Sequence, residues 1–278
     1  PSGPNQLPVQ HDAGIGGERC ARAAVGLHQA HRRVLGRAGI VDVCVEVNEQ
    51  TDREFSLSRW AVHELEEFSL RLARIGARLT LMYWPRPERK FLEDVIAILP
   101  DVADACDAIA LEGDVEGGNW GSKVRKVGFK DDDEAGEFLY RGLLEATDSK
   151  ETILGATFHT GRLNLSFSDL VDYAAVQAYS TYEDGDTFDG RYEVANMQVR
   201  AWMKAQKATP DFTVMAVALY SQKYPGHTAE EAIHGALDAA WLQGGRWFRG
   251  WSSKHTVGRK ANPYALDAIV SWREKHGR

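Results

Sequence analysis

Cysteine is nearly absent from this chain. Cys20, Cys44 and Cys106 stand far apart, with neither the even pairing of a disulfide framework nor the close spacing of a zinc site. They are expected as free interior thiols. No apolar run approaches the roughly eighteen residues that a membrane-spanning helix needs. The amino-terminal Pro1-Ser-Gly-Pro-Asn-Gln has no basic stretch leading into an apolar one, so neither a membrane span nor a signal peptide is expected. Positive charge is in deficit: 33 Lys and Arg against 40 Asp and Glu leave a net charge of -7. That balance argues against the basic patch of a nucleic-acid or anionic-membrane surface and favours a neutral substrate.

Apolar residues are plentiful. They make up 44% of the 278 residues, enough to bury a large core, and the length is close to the roughly 250 residues typical of one (β/α)8 barrel. Period-two alternation and helical spacing then divide the chain. Residues 8–14 read as a short first strand and residues 17–36 as its helix. Val41 to Asn48 is the second strand, with four valines on one face and Asp42, Cys44, Glu46 and Asn48 on the other. Ser56-Leu-Ser58 is expected to cap a helix whose buried stripe is Trp60, Val62, Leu65, Phe68, Leu70 and Leu72, stopped by Gly76.

Arg78 to Trp84 is the third strand, closed by Pro85 and Pro87, and Glu88 to Cys106 reads as a helix interrupted near Pro100. The fourth strand starts at Asp107. After Gly117-Gly118, a long loop carrying Trp120 leads to Asp131-Asp-Asp-Glu, acids suited to a helix N-terminus. Further strands are expected over residues 152–159, 172–180, 212–220 and 246–252, and further helices over 166–171, 192–207, 229–242 and 263–275. Eight strand–helix units in succession predict an α/β fold, a (β/α)8 TIM barrel in which residues 1–278 form a single catalytic domain.

The fourth strand, Asp107-Ala-Ile-Ala-Leu-Glu112-Gly-Asp114-Val-Glu116, puts Ala108, Ala110, Glu112, Asp114 and Glu116 on one face. A face that is small first and acidic last suits a barrel interior opening into a polar cleft at its C-terminal end, where barrel enzymes keep their chemistry. Three carboxylates so aligned repel one another and lose hydration, so at least one is expected to hold a proton near neutral pH. Glu116, nearest the cleft, is the candidate general acid. Asp114 is placed to hydrogen-bond it, and Glu112 to charge a buried network. The alternative is that these acids are structural and paired with barrel arginines such as Arg249.

Glu112-Gly-Asp114-Val-Glu116 resembles the end of the D-x-x-D-x-D-x-E signature of glycoside hydrolase family 18, the chitinases and related N-acetylglucosaminidases. Gln177-Ala-Tyr179-Ser resembles that family's M-x-Y-D segment, and Trp251 falls where the family keeps a tryptophan beneath the sugar. Ile109 stands at the first Asp of the signature, Glu112 replaces the next expected Asp, and Gln177 and Ser180 replace Met and Asp. The Asp-Val-Glu-Gly stretch also resembles the D-x-E segment of family 25 muramidases. Both resemblances imply cleavage beside 2-acetamido sugars. The first implies substrate-assisted retention, a departure from the scheme of two protein carboxylates. In it Glu116 protonates the glycosidic oxygen, the substrate's acetamido carbonyl attacks the anomeric carbon, and Asp114 and Tyr179 steady the intermediate. Glu116 then acts as base toward water. Glu46, on a face pointing into the same cavity, is the candidate for a protein nucleophile or second base.

Substrate contacts are expected from Glu46, Asn48, Glu112, His159, Gln177 and Arg249 as hydrogen-bonding groups, and from Trp84, Trp120, Tyr220 and Trp251 as stacking surfaces. The reading is a glycosidase on a β-linked polysaccharide of N-acetylated amino sugars, bacterial peptidoglycan ahead of chitin. It is expected to need no metal or other cofactor, to be monomeric, and to act on an extracytoplasmic polymer, whether secreted, phage-delivered or part of a larger protein. Two other classes are open. One is a non-catalytic carbohydrate-binding barrel. The other is a metal-dependent barrel hydrolase built on His11, Asp12 and His159. The loop from Asp184 to Gly190 has acidic spacing suggestive of calcium but misses the EF-hand register.

Overall fold

Alternation of side chains along parallel strands decides this architecture. The computed structural model describes residues 42–115, 120, 127–147, 152–158, 170–178, 213–218, 233–234, 237–238, 241, 247–251 and 265–276, with the backbone alone at 158, 174, 176–178, 213–218, 247–251 and 265–266. Seven strands, β1 (Asp42–Glu46), β2 (Arg78–Tyr83), β3 (Ala110–Asp114), β4 (Ile153–Phe158), β5 (Tyr173–Ala178), β6 (Thr213–Ala218) and β7 (Trp247–Trp251), lie side by side in chain order. Every neighbouring pair is parallel. Parallel neighbours need a crossover, and right-handed crossovers put the helices on one side of the sheet.

Helices α1 (Val62–Ala73), α2 (Arg89–Ala105) and α3 (Asp132–Thr147) fill the first three of those crossovers, and α4 (Ala265–Lys275) follows β7. This is the (β/α)8 pattern that the sequence predicts. The segment expected as the first strand, residues 8–14, lies outside the described residues together with its helix.

One face of β1 to β4 packs on the helices. Val43 and Val45 of β1, Leu79, Leu81 and Tyr83 of β2, Leu111 of β3 and Leu154 and Ala156 of β4 meet Leu65, Phe68 and Leu72 of α1, Leu92, Val95 and Leu99 of α2, and Leu139, Tyr140 and Leu143 of α3. The other face of β1 to β5 carries Cys44, Glu46, Thr80, Met82, Ala110, Glu112, Asp114, Gly155, Thr157, Tyr173 and Ala175. The strand register keeps this set together: Met82 pairs with Glu112, Glu112 with Gly155, and Gly155 with Tyr173.

Two expectations are corrected. The first helix begins at Val62 rather than at Ser56–Ser58: the Ser58 hydroxyl donates to Asp52 at 2.6 Å, and the Glu64 carboxylate takes the N–H of Ala61 at 2.9 Å. Only Leu65, Phe68 and Leu72 of its expected stripe are buried within the helix, while Leu70 is 63% exposed. Five residues on from Leu65, Leu70 is turned about 140° around the axis, away from the sheet. The second correction concerns α2, which runs unbroken through Pro100. An interior proline costs about 3 kcal/mol in lost hydrogen bonding and steric crowding. Burial of Leu99, Pro100, Val102 and Ala103 against the sheet offsets that cost.

The start of α3 follows expectation. Asp131 accepts the N–H of Glu134 at 3.0 Å, and Glu134 accepts the N–H of Lys130 at 2.6 Å. Among the described residues no helix is long and apolar enough to cross a membrane.

Leu99 is fully buried where α2 meets the sheet. Leu99→Ala is expected to lower the unfolding free energy by about 2–5 kcal/mol, and Leu70→Ala to change it by no more than about 0.5 kcal/mol. Urea denaturation of the two variants checks this, and equal effects would contradict the assigned packing.

Candidate functional site

The inward face of β3 climbs from Ala110 through Glu112 to Asp114, and all three are buried, at 1%, 1% and 3% exposure. Two carboxylates on one strand face inside the sheet is the arrangement that the alternation predicts. Ala110, Tyr173 and Ala175 pack together as a floor on the same side. The Glu112 carboxylate is held from two other strands. Thr157 of β4 donates to its Oε1 at 2.5 Å, and the Tyr173 phenol of β5 donates to its Oε2 at 2.5 Å.

The second of these bonds reaches from β5 over β4 to β3, and a glycine makes it possible. A Cβ at Gly155 would sit 2.2 Å from Cζ and 2.5 Å from the hydroxyl of Tyr173. With hydrogen there instead, the Tyr173 ring lies across β4 and brings its hydroxyl to Glu112. The helix side of β3 shows the same economy. A Cβ at Gly113 would meet the Tyr140 hydroxyl at 2.8 Å and the Tyr83 hydroxyl at 3.0 Å. Tyr140 donates to the backbone carbonyl of Gly155 at 3.2 Å. Burial pushes the Tyr83 and Tyr140 phenols up, and the charge of Glu112 pushes both in the same direction, so both stay neutral.

Around the C-terminal strand ends the rim is tied by side chains. Asn48 is fully buried, its Oδ1 accepting the N–H of Trp84 at 2.8 Å and its Nδ2 donating to the carbonyl of Trp84 at 3.2 Å. The Trp120 indole donates to the carbonyl of Pro85 at 2.6 Å, and the Trp60 indole to the carbonyl of Glu46 at 3.0 Å. Glu46 is ion-paired with Arg59, and Arg86 joins Glu88 to the carbonyl of Asp52. The loops after β1 and β2 are therefore held in place by buried side-chain bonds to their backbone.

The structure thus brings Glu112 and Asp114 together on β3 and sets Glu46, Asn48 and Trp84 at the same end of the sheet. Asn48 and Trp120, expected as sugar contacts, have their polar groups engaged by the protein's own backbone, and Trp120 is only 9% exposed. Trp84 is half-buried, with its indole N–H enclosed and unpaired among the described residues. Glu116, Tyr179, His159 and Tyr220 lie outside the described residues. So do the side chains of Gln177, Arg249 and Trp251, whose backbones belong to β5 and β7.

Sequence reasoning passed over Gly155, Thr157, Tyr173 and Arg59. The first three share the inward face of their strands, so alternation alone was the signal that pointed to them. Chemically, the arrangement is a buried carboxyl group braced by two hydroxyls, with a second buried carboxyl two residues nearer the barrel mouth. Groups of this kind suit proton transfer to a ligand at the strand ends.

No family model and no curated protein sequence matches the chain. Solved structures do. The catalytic domain of a hyperthermophilic chitinase from Pyrococcus furiosus is 12% identical, with 91% of this chain and 93% of that chain covered and a TM-score of 0.63. A broad specificity endoglucanase from Clostridium longisporum is 10% identical over 89% of this chain and 86% of that chain, with a TM-score of 0.62. A xylanase and alpha-amylase inhibitor protein from Scadoxus multiflorus is 12% identical over 86% and 92% of the two chains, with a TM-score of 0.57. At such identities the likeness establishes the fold, an α/β (β/α)8 barrel.

Removing the clamp between β1 and β2 leaves two backbone groups of Trp84 without partners. Asn48→Ala is expected to cost about 1–3 kcal/mol for that loss, measured by urea denaturation. An unchanged midpoint would show that the Asn48 bonds hold nothing.

Proposed function

We propose that this protein is a glycoside hydrolase acting on a β-linked polysaccharide of N-acetylated amino sugars. The observation that carries the reading is the buried acidic row of β3, Glu112 then Asp114, rising to the C-terminal end of a barrel strand. In low dielectric two like charges on one face oppose each other's ionisation, so the upper group gains proton affinity from the lower one. Glu116 follows Asp114 by one further strand repeat in the sequence and is the proposed general acid, Asp114 its hydrogen-bonding partner. Tyr179 is proposed to support the acetamido group, with His159, Gln177, Tyr220, Arg249 and Trp251 as further substrate contacts.

The proposed course is substrate-assisted. Glu116 protonates the glycosidic oxygen as the C–O bond breaks, the acetamido carbonyl oxygen closes on the anomeric carbon, and Asp114 bonds the acetamido N–H. Water, deprotonated by Glu116, then opens the ring and restores the acid. Glu46 is less suited to act as a nucleophile than its position alone suggests, because Arg59 already neutralises it.

Chitin and peptidoglycan both present 2-acetamido sugars in β linkage. A structure similar in fold to this chain is of catalytic-site mutants of a Pyrococcus furiosus chitinase domain complexed with chito-oligosaccharides, which supports chitin as a substrate to test beside peptidoglycan. Either polymer is extracytoplasmic, and the protein is proposed to act there as a monomer. The second reading is a barrel that binds carbohydrate or a carbohydrase without turnover. The fold shared with the Scadoxus xylanase and alpha-amylase inhibitor supports it.

Incubation with chito-oligosaccharides and with purified peptidoglycan, followed by mass spectrometry of the products, separates the two readings. Cleavage by the wild type, lowered by about 10²–10⁴-fold in Glu116→Gln, is the expected result for a general acid. Binding of either glycan with no product from the wild type would overturn the hydrolase reading in favour of the second.

A further inference from the structure

We infer that Thr157 and Tyr173 are positioning residues whose hydroxyls fix the Glu112 carboxylate in its ionised form, and that this fixed charge sets the proton affinity of Asp114 above it. Each oxygen of Glu112 accepts from a different hydroxyl, Oε1 from Thr157 and Oε2 from Tyr173. A carboxylate satisfies both donors at once. A neutral carboxyl presents its own O–H at one oxygen, and there the facing hydroxyl must turn from donor to acceptor and lose the partner for its hydrogen. Bonds donated to both oxygens therefore favour the anion, against the burial that disfavours it.

The surroundings agree with a fixed charge at this point. On the adjacent strand β2 the register partner is Met82, which has nothing to titrate. On β1 the inward acids are Asp42, which accepts from the Thr80 hydroxyl, and Glu46, already paired with Arg59. Behind β3 the Tyr83 and Tyr140 phenols are kept neutral by burial. On β3 itself the next inward group is Asp114, 3% exposed. Among the described residues Asp114, two positions along the same strand face, is a titratable neighbour on whose protonation the Glu112 charge acts.

Gly155 belongs to the same device. Tyr173 reaches Glu112 only because residue 155 has no Cβ. The brace is therefore written into three strands, as glycine and threonine on β4, tyrosine on β5 and glutamate on β3.

The part of the inference that concerns Asp114 and turnover rests on the glycosidase reading; the part that concerns Glu112 does not, and the test separates them. Carboxyl-carbon NMR on protein labelled at glutamate follows Glu112 directly, its signal identified by its loss in Glu112→Gln. In the wild type the signal is expected to stay at the ionised position from about pH 8 down to about pH 4. In Tyr173→Phe and in Thr157→Val the midpoint of Glu112 is expected to rise by at least about one pH unit, tenfold in proton affinity. Thr157→Ser, which keeps the donor, is expected to behave as wild type. A wild-type Glu112 that takes up its proton near neutral pH, or a midpoint that neither variant moves, would overturn the inference.

If the wild type hydrolyses chito-oligosaccharides, the basic limb of its rate–pH profile reports the general acid, Glu116. Glu112→Gln removes the charge that holds the proton on Asp114, and the ionised Asp114 left beside Glu116 is expected to move that limb to higher pH. An unmoved limb in Glu112→Gln would refute the link to Asp114. A wild type that cleaves no glycan would refute the glycosidase reading, and the carboxyl titration would still decide the role of Thr157 and Tyr173.

Discussion

A glutamate carboxylate with 1% of its surface exposed sits inside the sheet, and the geometry of three strands follows from the need to hold it. Burying one such charge costs several kcal/mol even after the protein relaxes. Hydrogen bonds to a charged group return about 1.5–3 kcal/mol each, so two of them are of the size needed and one is not. Thr157 and Tyr173 supply two. The reach of Tyr173 sets what its neighbour can be: no side chain at Gly155, where the ring crosses. On the helix side, Gly113 leaves room for the Tyr83 and Tyr140 hydroxyls.

The rim depends on a similar economy of polar groups. Past the end of a strand the backbone loses its ladder partners, and buried N–H and C=O groups must find others. Asn48 takes both groups of Trp84, while Trp60 and Trp120 bond the carbonyls of Glu46 and Pro85. The loops after β1 and β2 are thus fixed beside the acidic row of β3 by the protein's own bonds. Fixed dipoles and charges of this sort act on a reacting group without the reorganisation that water would require.

Much of this was legible in the sequence, for a reason that also marks its limit. Alternation is a local property, so the acid face of Glu112 and Asp114, the valine face of β1 and all seven described strands could be read from residues a few positions apart. Pairing across strands is not local. Nothing near Glu112 in the sequence points to Thr157, which meets it after one crossover, or to Tyr173, which meets it after two. Trp120 shows the same limit: its place after a strand suggests a stacking surface, and the pairing that brings its ring into the core and its N–H to Pro85 is not local. At Pro100 local propensity opposes a helix, and burial overrides it. At Leu70 an apolar residue stands off the buried stripe of α1, because the helical angle and not apolar character decides which side faces the sheet.

The proposed function requires that a glycan bind at the C-terminal strand ends above the acidic row of β3. Titration of a chito-oligosaccharide into isotope-labelled protein, with backbone amide signals followed by NMR, tests it most directly. The account predicts that the signals of Asn48, Trp84, Asp114 and Val115 move together with increasing ligand. Movement confined to the outer groove between α2 and α3, at Glu93, Phe138, Arg141 and Gly142, with the strand ends unchanged, would contradict it.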